Sequence, residues 1–123
     1  CYGLRCPVWA RNGGMGNDNY DILLVIANWP EIRIDAYDIL VRARAIENQC
    51  YVAAVNIVGD DRLGLHYNGH SMALDTRLKD IAGFEDNEVG TRIVHFDMGK
   101  LKHFREVLPL WRDADDFELT HGL

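Results

Sequence analysis

Cysteine, lysine and long apolar runs are all scarce in this chain. Its three cysteines are Cys1, Cys6 and Cys50. An odd number at unpatterned spacing excludes a disulfide scaffold and predicts a reducing, cytoplasmic setting. Without a Cys-x-x-Cys pair, no structural zinc site and no other metal is expected. No apolar run reaches the roughly 18 residues of a membrane span, and the opening residues do not read as a signal peptide, so no membrane partner is expected. Lysine occurs only at Lys79, Lys100 and Lys102, and the 13 basic residues are outnumbered by 19 acidic ones, for a net charge of −6. That balance argues against binding driven by phosphate contacts, so no nucleic-acid partner is expected. The Gly-rich stretch from Arg11 to Asn19, RNGGMGNDN, reads as a loop. It lacks the Gly-x-Gly-x-x-Gly order and precedes a strand rather than a helix, which excludes a phosphate cradle.

What is present is ordinary globular composition, 48% hydrophobic and 26% charged over 123 residues, a length that suits one domain spanning 1–123. A continuous apolar run from Ile22 to Ala27 predicts a strand buried on both faces. Pro30 breaks it. Ala36, Ile39, Leu40, Ala43, Ile46 and Cys50 then recur at helical steps and predict the buried face of a helix, with Asp35 at the N-cap position. A second apolar strand is predicted from Tyr51 to Val58, and Asn68-Gly69 suits a tight hairpin turn. The segments SMALD and TRIVHFD read as further strands. Asp97 suits the cap of a short helix carrying Leu101, Phe104 and Leu108, stopped by Pro109. In the tail, Trp111 and Phe117 are available as anchors, and the acidic run from Asp113 to Glu118 reads as a solvated segment without the glycine turn of a calcium loop. Interleaved strands and helices make the fold class α/β with a layered sheet. If the strands at Ile22 and Tyr51 lie parallel, they form a strand–helix–strand unit.

Several strings then agree with one family in order and spacing. The opening CYGLRCPVWARN resembles the nucleophile motif of the nitrilase, or carbon–nitrogen hydrolase, superfamily, usually Cys-Tyr-Asp-Leu-Arg-Phe-Pro. ANWPEIR, RARAIENQCYVAAVN, YNGHSMALD and LPLWRDADDFEL follow as in its omega-amidase-like branch. The resemblance implies an α-β-β-α four-layer sandwich, of which this chain resembles the C-terminal half. It implies amide hydrolysis by a Cys nucleophile through a thioester, with a Glu base and a Lys that, with a backbone N–H, holds the oxyanion. No metal or organic cofactor is implied. Carried over by position, Cys1 is the nucleophile and Tyr2 supplies the backbone N–H. The family's Glu and Lys precede the nucleophile, so Cys1 is expected to be an internal residue of a longer relative. Gly3 and Cys6 depart from the family's Asp and Phe. The Asp→Gly change removes a carboxylate and loosens the backbone beside the nucleophile, while Phe→Cys shrinks an apolar contact.

The substrate implied is a small amide bearing a carboxylate or α-keto acid, such as 2-oxoglutaramate. Arg33 is the candidate partner for that carboxylate, since a guanidinium binds one in a planar, bidentate way; the alternative is a surface Arg at a helix start. Trp29 either walls the pocket or packs in the core. Arg5 is expected in a structural ion pair, and Arg44 with Glu47 in a structural or surface pair. Cys6 and Cys50 are read as packing residues, and none of His66, His70, His95, His103 and His121 is assigned as a ligand. Half of a sandwich exposes apolar sheet, so a homo-oligomer or a complementing N-terminal half is expected. Two rival readings stay open. One is an N-terminal-nucleophile hydrolase using the α-amino group of Cys1 as base. The other is a catalytically inactive assembly or binding module.

Overall fold

Residues 1–12, 19–118 and 120 are described by the computed structural model; residues 13–18 of the Gly-rich stretch, and His121, lie outside them. The chain opens with a single helical turn, α1 (Tyr2–Arg5), followed by a 3-10 turn at Pro7–Ala10. Then come β1 (Ile22–Ala27), α2 (Ile34–Asn48) and β2 (Tyr51–Asn56). A small hairpin of β3 (Val58–Asp60) and β4 (His66–Asn68) leads to β5 (Met72–Leu74), and α3 (Met98–Val107) follows a long irregular connection. β1 and β2 are parallel, with Ile22 opposite Tyr51 and Ala27 opposite Asn56, and β5 joins the other edge of β2 antiparallel. The α/β class and the strand–helix–strand unit are as the sequence predicts.

The core lies between this sheet and α2. Leu4, Ala27, Trp29, Tyr37, Val41, Ala45, Val52, Ala54 and Leu74 form one buried cluster. The fully buried face of α2 is Ile34, Tyr37, Val41, Arg44, Ala45 and Asn48; of the predicted stripe, Cys50 is in the core and Ala36 and Leu40 pack against it. Ile39 and Ile46 point outward and are exposed. Two neighbouring stripes of α2 satisfy the helical period, and Ile39 and Ile46 drew the predicted one too far toward solvent. The sheet instead took the stripe of Tyr37 and Val41, which has small Ala45 for close approach. Asp35 is not the cap either. A 3-10 turn at Glu31–Arg33 makes Arg33 the cap, leaving Asp35 inside the first turn, where its charge favours the helix dipole. Gln49 ends the helix in the left-handed conformation (φ 44°), its N–H donating to the carbonyls of Ala45 and Ile46.

β1 is buried on one face only. Leu23, Val25 and Ala27 meet the core, while Leu24 and Ile26 are 71% and 85% exposed and Val55, opposite Ile26 on β2, is 57% exposed. Nothing among the described residues covers that face. The second strand ends at Asn56, and Val58 turns into the separate hairpin. That hairpin closes at Asp61, whose carboxylate accepts the N–H groups of Leu63 and Leu65, rather than at Asn68-Gly69. Gly69 (φ 85°) instead joins β4 to β5. TRIVHFD forms no strand: no neighbouring strand offers it a ladder among the described residues, and Ile93 is exposed.

Asp97 caps α3 as predicted, its carboxylate accepting the Lys100 N–H at 3.0 Å. Leu101 is buried, and Leu108 closes the helix before Pro109. Arg105 fastens α3 to the body through the carbonyls of Gln49 and Tyr20 and the Asp21 carboxylate. Trp111 is exposed rather than an anchor, and Phe117 is half-buried near the Arg11 guanidinium. Cys50 is buried as expected, and burial pushes its thiol up to about 11. Cys6 is exposed instead of packed, because it ends a one-turn helix at the rim of the molecule.

Candidate active site

The carboxyl ends of adjacent parallel strands leave backbone groups without ladder partners and so make a natural crevice. β1 and β2 end together here, at Ala27 and Asn56. The chain leaves β1 through Asn28, Trp29 and Pro30, and this bend lies against α1. Cys1 sits at the start of α1, exposed, and its Sγ accepts a hydrogen bond from the Asn28 backbone N–H at 3.4 Å. Tyr2 is exposed, and its N–H belongs to the first turn of α1, where helix geometry leaves amides unpaired.

Cys1 stands between two recesses. The first, about 300 Å3, is formed by Cys1, Tyr2, Arg5, Asn28, Trp29, Pro30 and Arg33. The structure therefore brings all four predicted site residues together. Trp29 both packs and walls: its ring lies 5.8 Å from that of Tyr37 in the core, yet it borders the recess. Its Nε1–H donates to the Arg33 carbonyl at 2.6 Å, tying the bend to the start of α2. Among the described residues the Arg33 guanidinium has no ion-pair or hydrogen-bond partner, and the side chain is exposed. Arg5 lies over the Trp29 ring at 4.5 Å instead of entering an ion pair, a cation–π contact that orders both walls.

The second recess, about 250 Å3, is more apolar. Trp9, Leu23, Leu24, Val25 and Ile26 line it with Cys1 and Arg44. The sequence reading undervalued Arg44. It is buried, its Nη2 donates to the Leu4 carbonyl of α1 at 2.5 Å, and its Nη1 meets Glu47 at 3.0 Å. A buried cation thus holds the turn that carries Cys1. Asn56 was also missed. Its Oδ1 accepts the Trp29 N–H at 2.7 Å, and its Nδ2 donates to the carbonyls of Trp29 and Gly69 at 2.9 and 2.7 Å. The available signal was a lone amide at the end of the apolar run YVAAVN.

This arrangement supplies an accessible thiol, an N–H directed at it and arginines on both sides, conditions that favour thiolate and attract anionic ligands. Among the described residues neither recess contains a carboxylate or a lysine. The described histidines lie outside both recesses. His66 bridges Asp60 and Asn87, and the hydrogen bond to Asp60 holds its proton above the ordinary 6.5. His70, four residues on, meets Asp38 of α2 at 2.8 Å and lies 2.9 Å from Asp86. His95 and His103 are exposed.

Comparison with known proteins adds to this geometry. The carbon-nitrogen hydrolase family matches residues 1–106. An omega-amidase of Escherichia coli is 44% identical over 120 residues, which cover 97% of this chain and 45% of that protein. A 2-oxoglutaramate amidase of Bacillus subtilis is 36% identical over 115 residues, 92% of this chain and 42% of that protein. A crystal structure of a CN-hydrolase superfamily protein from Xanthomonas campestris, with an arsenic adduct in its active site, superposes with a TM-score of 0.91 at 37% identity. It covers 98% of this chain and 46% of the other. The chain thus spans about half the length of the relatives it matches, and its layers fit half of an α-β-β-α sandwich. No described helix is long and apolar enough to cross a membrane.

Proposed function

The chain belongs to the carbon–nitrogen hydrolase family, and from that premise we propose that it carries the nucleophile and substrate-anchoring half of an omega-amidase-like enzyme. Its substrate is a small ω-amide bearing a carboxylate, of which 2-oxoglutaramate is the type. The observation that carries this reading is the meeting of Cys1 with an unpaired Arg33 in one recess, beside the ordered Trp29. The two relatives whose names give their activity, an omega-amidase and a 2-oxoglutaramate amidase, support it.

In this reading Arg33 pairs with the substrate carboxylate and Trp29 walls the chain beyond it. The Cys1 thiolate attacks the amide carbon, forming a C–S bond, and the carbonyl electron pair moves to oxygen. The Tyr2 N–H and a lysine stabilise that oxyanion. Collapse breaks the C–N bond, and the departing nitrogen takes a proton from a glutamic acid and leaves as ammonia. Water, deprotonated by the same glutamate, then attacks the thioester, releasing the acid and restoring the thiol. The glutamate and lysine come from a complementing N-terminal half. That half also covers Leu24, Ile26 and Val55, the uncovered sheet face. The setting is cytoplasmic, in line with three free thiols.

The test is ammonia release from 2-oxoglutaramate by the protein co-expressed with the portion of the Escherichia coli omega-amidase that it does not match. Turnover abolished by Cys1→Ala is expected. Arg33→Met should raise KM at least about tenfold with a smaller change in kcat, the loss of a charged hydrogen-bonding pair. Turnover indifferent to Cys1→Ala, or an assembled complex without turnover, would overturn the reading. Loss of turnover on acetylating the Cys1 α-amine would replace it with a terminal-amine base.

A further inference from the structure

Asn56 acts as a replacement peptide group at the end of the sheet. β1 stops at Ala27, so the N–H and C=O of Trp29 have no strand to pair with. Buried backbone groups left in that state cost about 1–3 kcal/mol each. The Asn56 amide meets both, accepting from Trp29 N–H and donating to Trp29 O, while its second N–H goes to Gly69 O. Every donor of the side chain is used and the residue is buried. Ser71 fixes Asn56 in turn: its Oγ accepts the Asn56 N–H at 2.9 Å and its hydroxyl donates to the Asn56 carbonyl at 3.2 Å. The bend so fixed is the one that turns the Asn28 N–H toward Cys1 Sγ.

We infer that Asn56 is a positioning residue for the nucleophile: by clamping Trp29 on both sides of its backbone it holds the Asn28 amide on the Cys1 sulfur, where that N–H stabilises the thiolate. The inference rests on reading Cys1 as the nucleophile, but its test needs no turnover, so failure of the amidase assay and failure here are separate results. The charged side chains facing Cys1 are Arg5 of α1, Arg33 before α2 and Arg44 of α2. All three are kept in the variants below.

The experiment is iodoacetamide alkylation of the full chain across pH, with adducts at Cys1, Cys6 and Cys50 quantified separately by mass spectrometry. Exposed Cys6 is the internal reference, and buried Cys50 reports unfolding. In Asn56→Ala the Cys1 midpoint should move up by about half a pH unit or more, about a threefold lower rate below the midpoint, with Cys6 unmoved. Asn28→Pro deletes the N–H itself. Asn28 is exposed and Ala27 before it is extended, the conformation that a following proline requires. The same shift is expected there. If Cys50 alkylates freely in Asn56→Ala, the protein has opened and Asn28→Pro decides alone. A Cys1 midpoint unmoved in Asn56→Ala with Cys50 still protected, one unmoved in Asn28→Pro, or one that shifts together with Cys6, overturns the inference.

Discussion

Replacing Arg44 with methionine tests whether a buried cation holds the Cys1 turn in place. The side chain is 6% exposed, and its best bond runs from Nη2 to the Leu4 carbonyl. A hydrogen bond from a charged donor contributes about 1.5–3 kcal/mol. The Glu47 contact is weaker, since that carboxylate is one-third exposed, and adds no more than about 1 kcal/mol. Against these stands the desolvation of the guanidinium, whose Nε has no acceptor among the described residues; relieving it returns about 1 kcal/mol. The net expectation for Arg44→Met is a loss of about 2 kcal/mol. Arg44→Lys should fall between, because one ammonium cannot reproduce the two-pronged fork. Urea unfolding followed by tryptophan fluorescence gives the total. Hydrogen exchange at Leu4, whose N–H donates to Cys1 O at 3.2 Å, locates it. Faster Leu4 exchange is expected in both variants. Two results would refute the reasoning: a loss below about 0.5 kcal/mol in Arg44→Met, or an equal loss in Glu47→Gln. The second would put the energy in the ion pair rather than on the Leu4 carbonyl.

Three more outcomes are expected. Tyr37 is fully buried with its hydroxyl unpartnered among the described residues, so Tyr37→Phe should stabilise by about 1 kcal/mol in urea unfolding; a loss of that size would mean that the hydroxyl has a partner. A Cβ at Gly3 meets nothing within 4 Å, so Gly3→Asp, which restores the family's residue at the start of α1, should gain about 1 kcal/mol from lower chain entropy and the helix dipole; a lower thermal midpoint would contradict this. His66 holds its proton above the ordinary 6.5 because of Asp60. Its contribution to stability is therefore complete below pH 6.5 and is lost as pH rises through the raised value; an NMR titration should show the His66 midpoint fall in Asp60→Asn, and an unchanged midpoint would remove Asp60 as the cause.

Elements with strong local chemistry were legible in the residue order alone. The run ILLVIA had to be a strand, Asp97 had to cap a helix, and Pro109 had to follow its end. The string CYGLRCP offered Cys1 and Tyr2 as candidate site residues and NWPEIR offered Trp29 and Arg33, each from a local motif, but that the two strings meet across 27 residues is the work of the fold. Choices between locally equivalent options waited for long-range packing. Both stripes of α2 obey one period, and only the sheet's shape selected Tyr37 and Val41 over Ile39 and Ile46. TRIVHFD has strand chemistry but, among the described residues, no neighbour to pair with, and a strand needs a partner's backbone where a helix supplies its own. Asn56 and Arg44 act across 27 and 40 residues of chain, on Trp29 and Leu4. Their meaning resides in unpaired backbone groups that do not exist until the fold has formed.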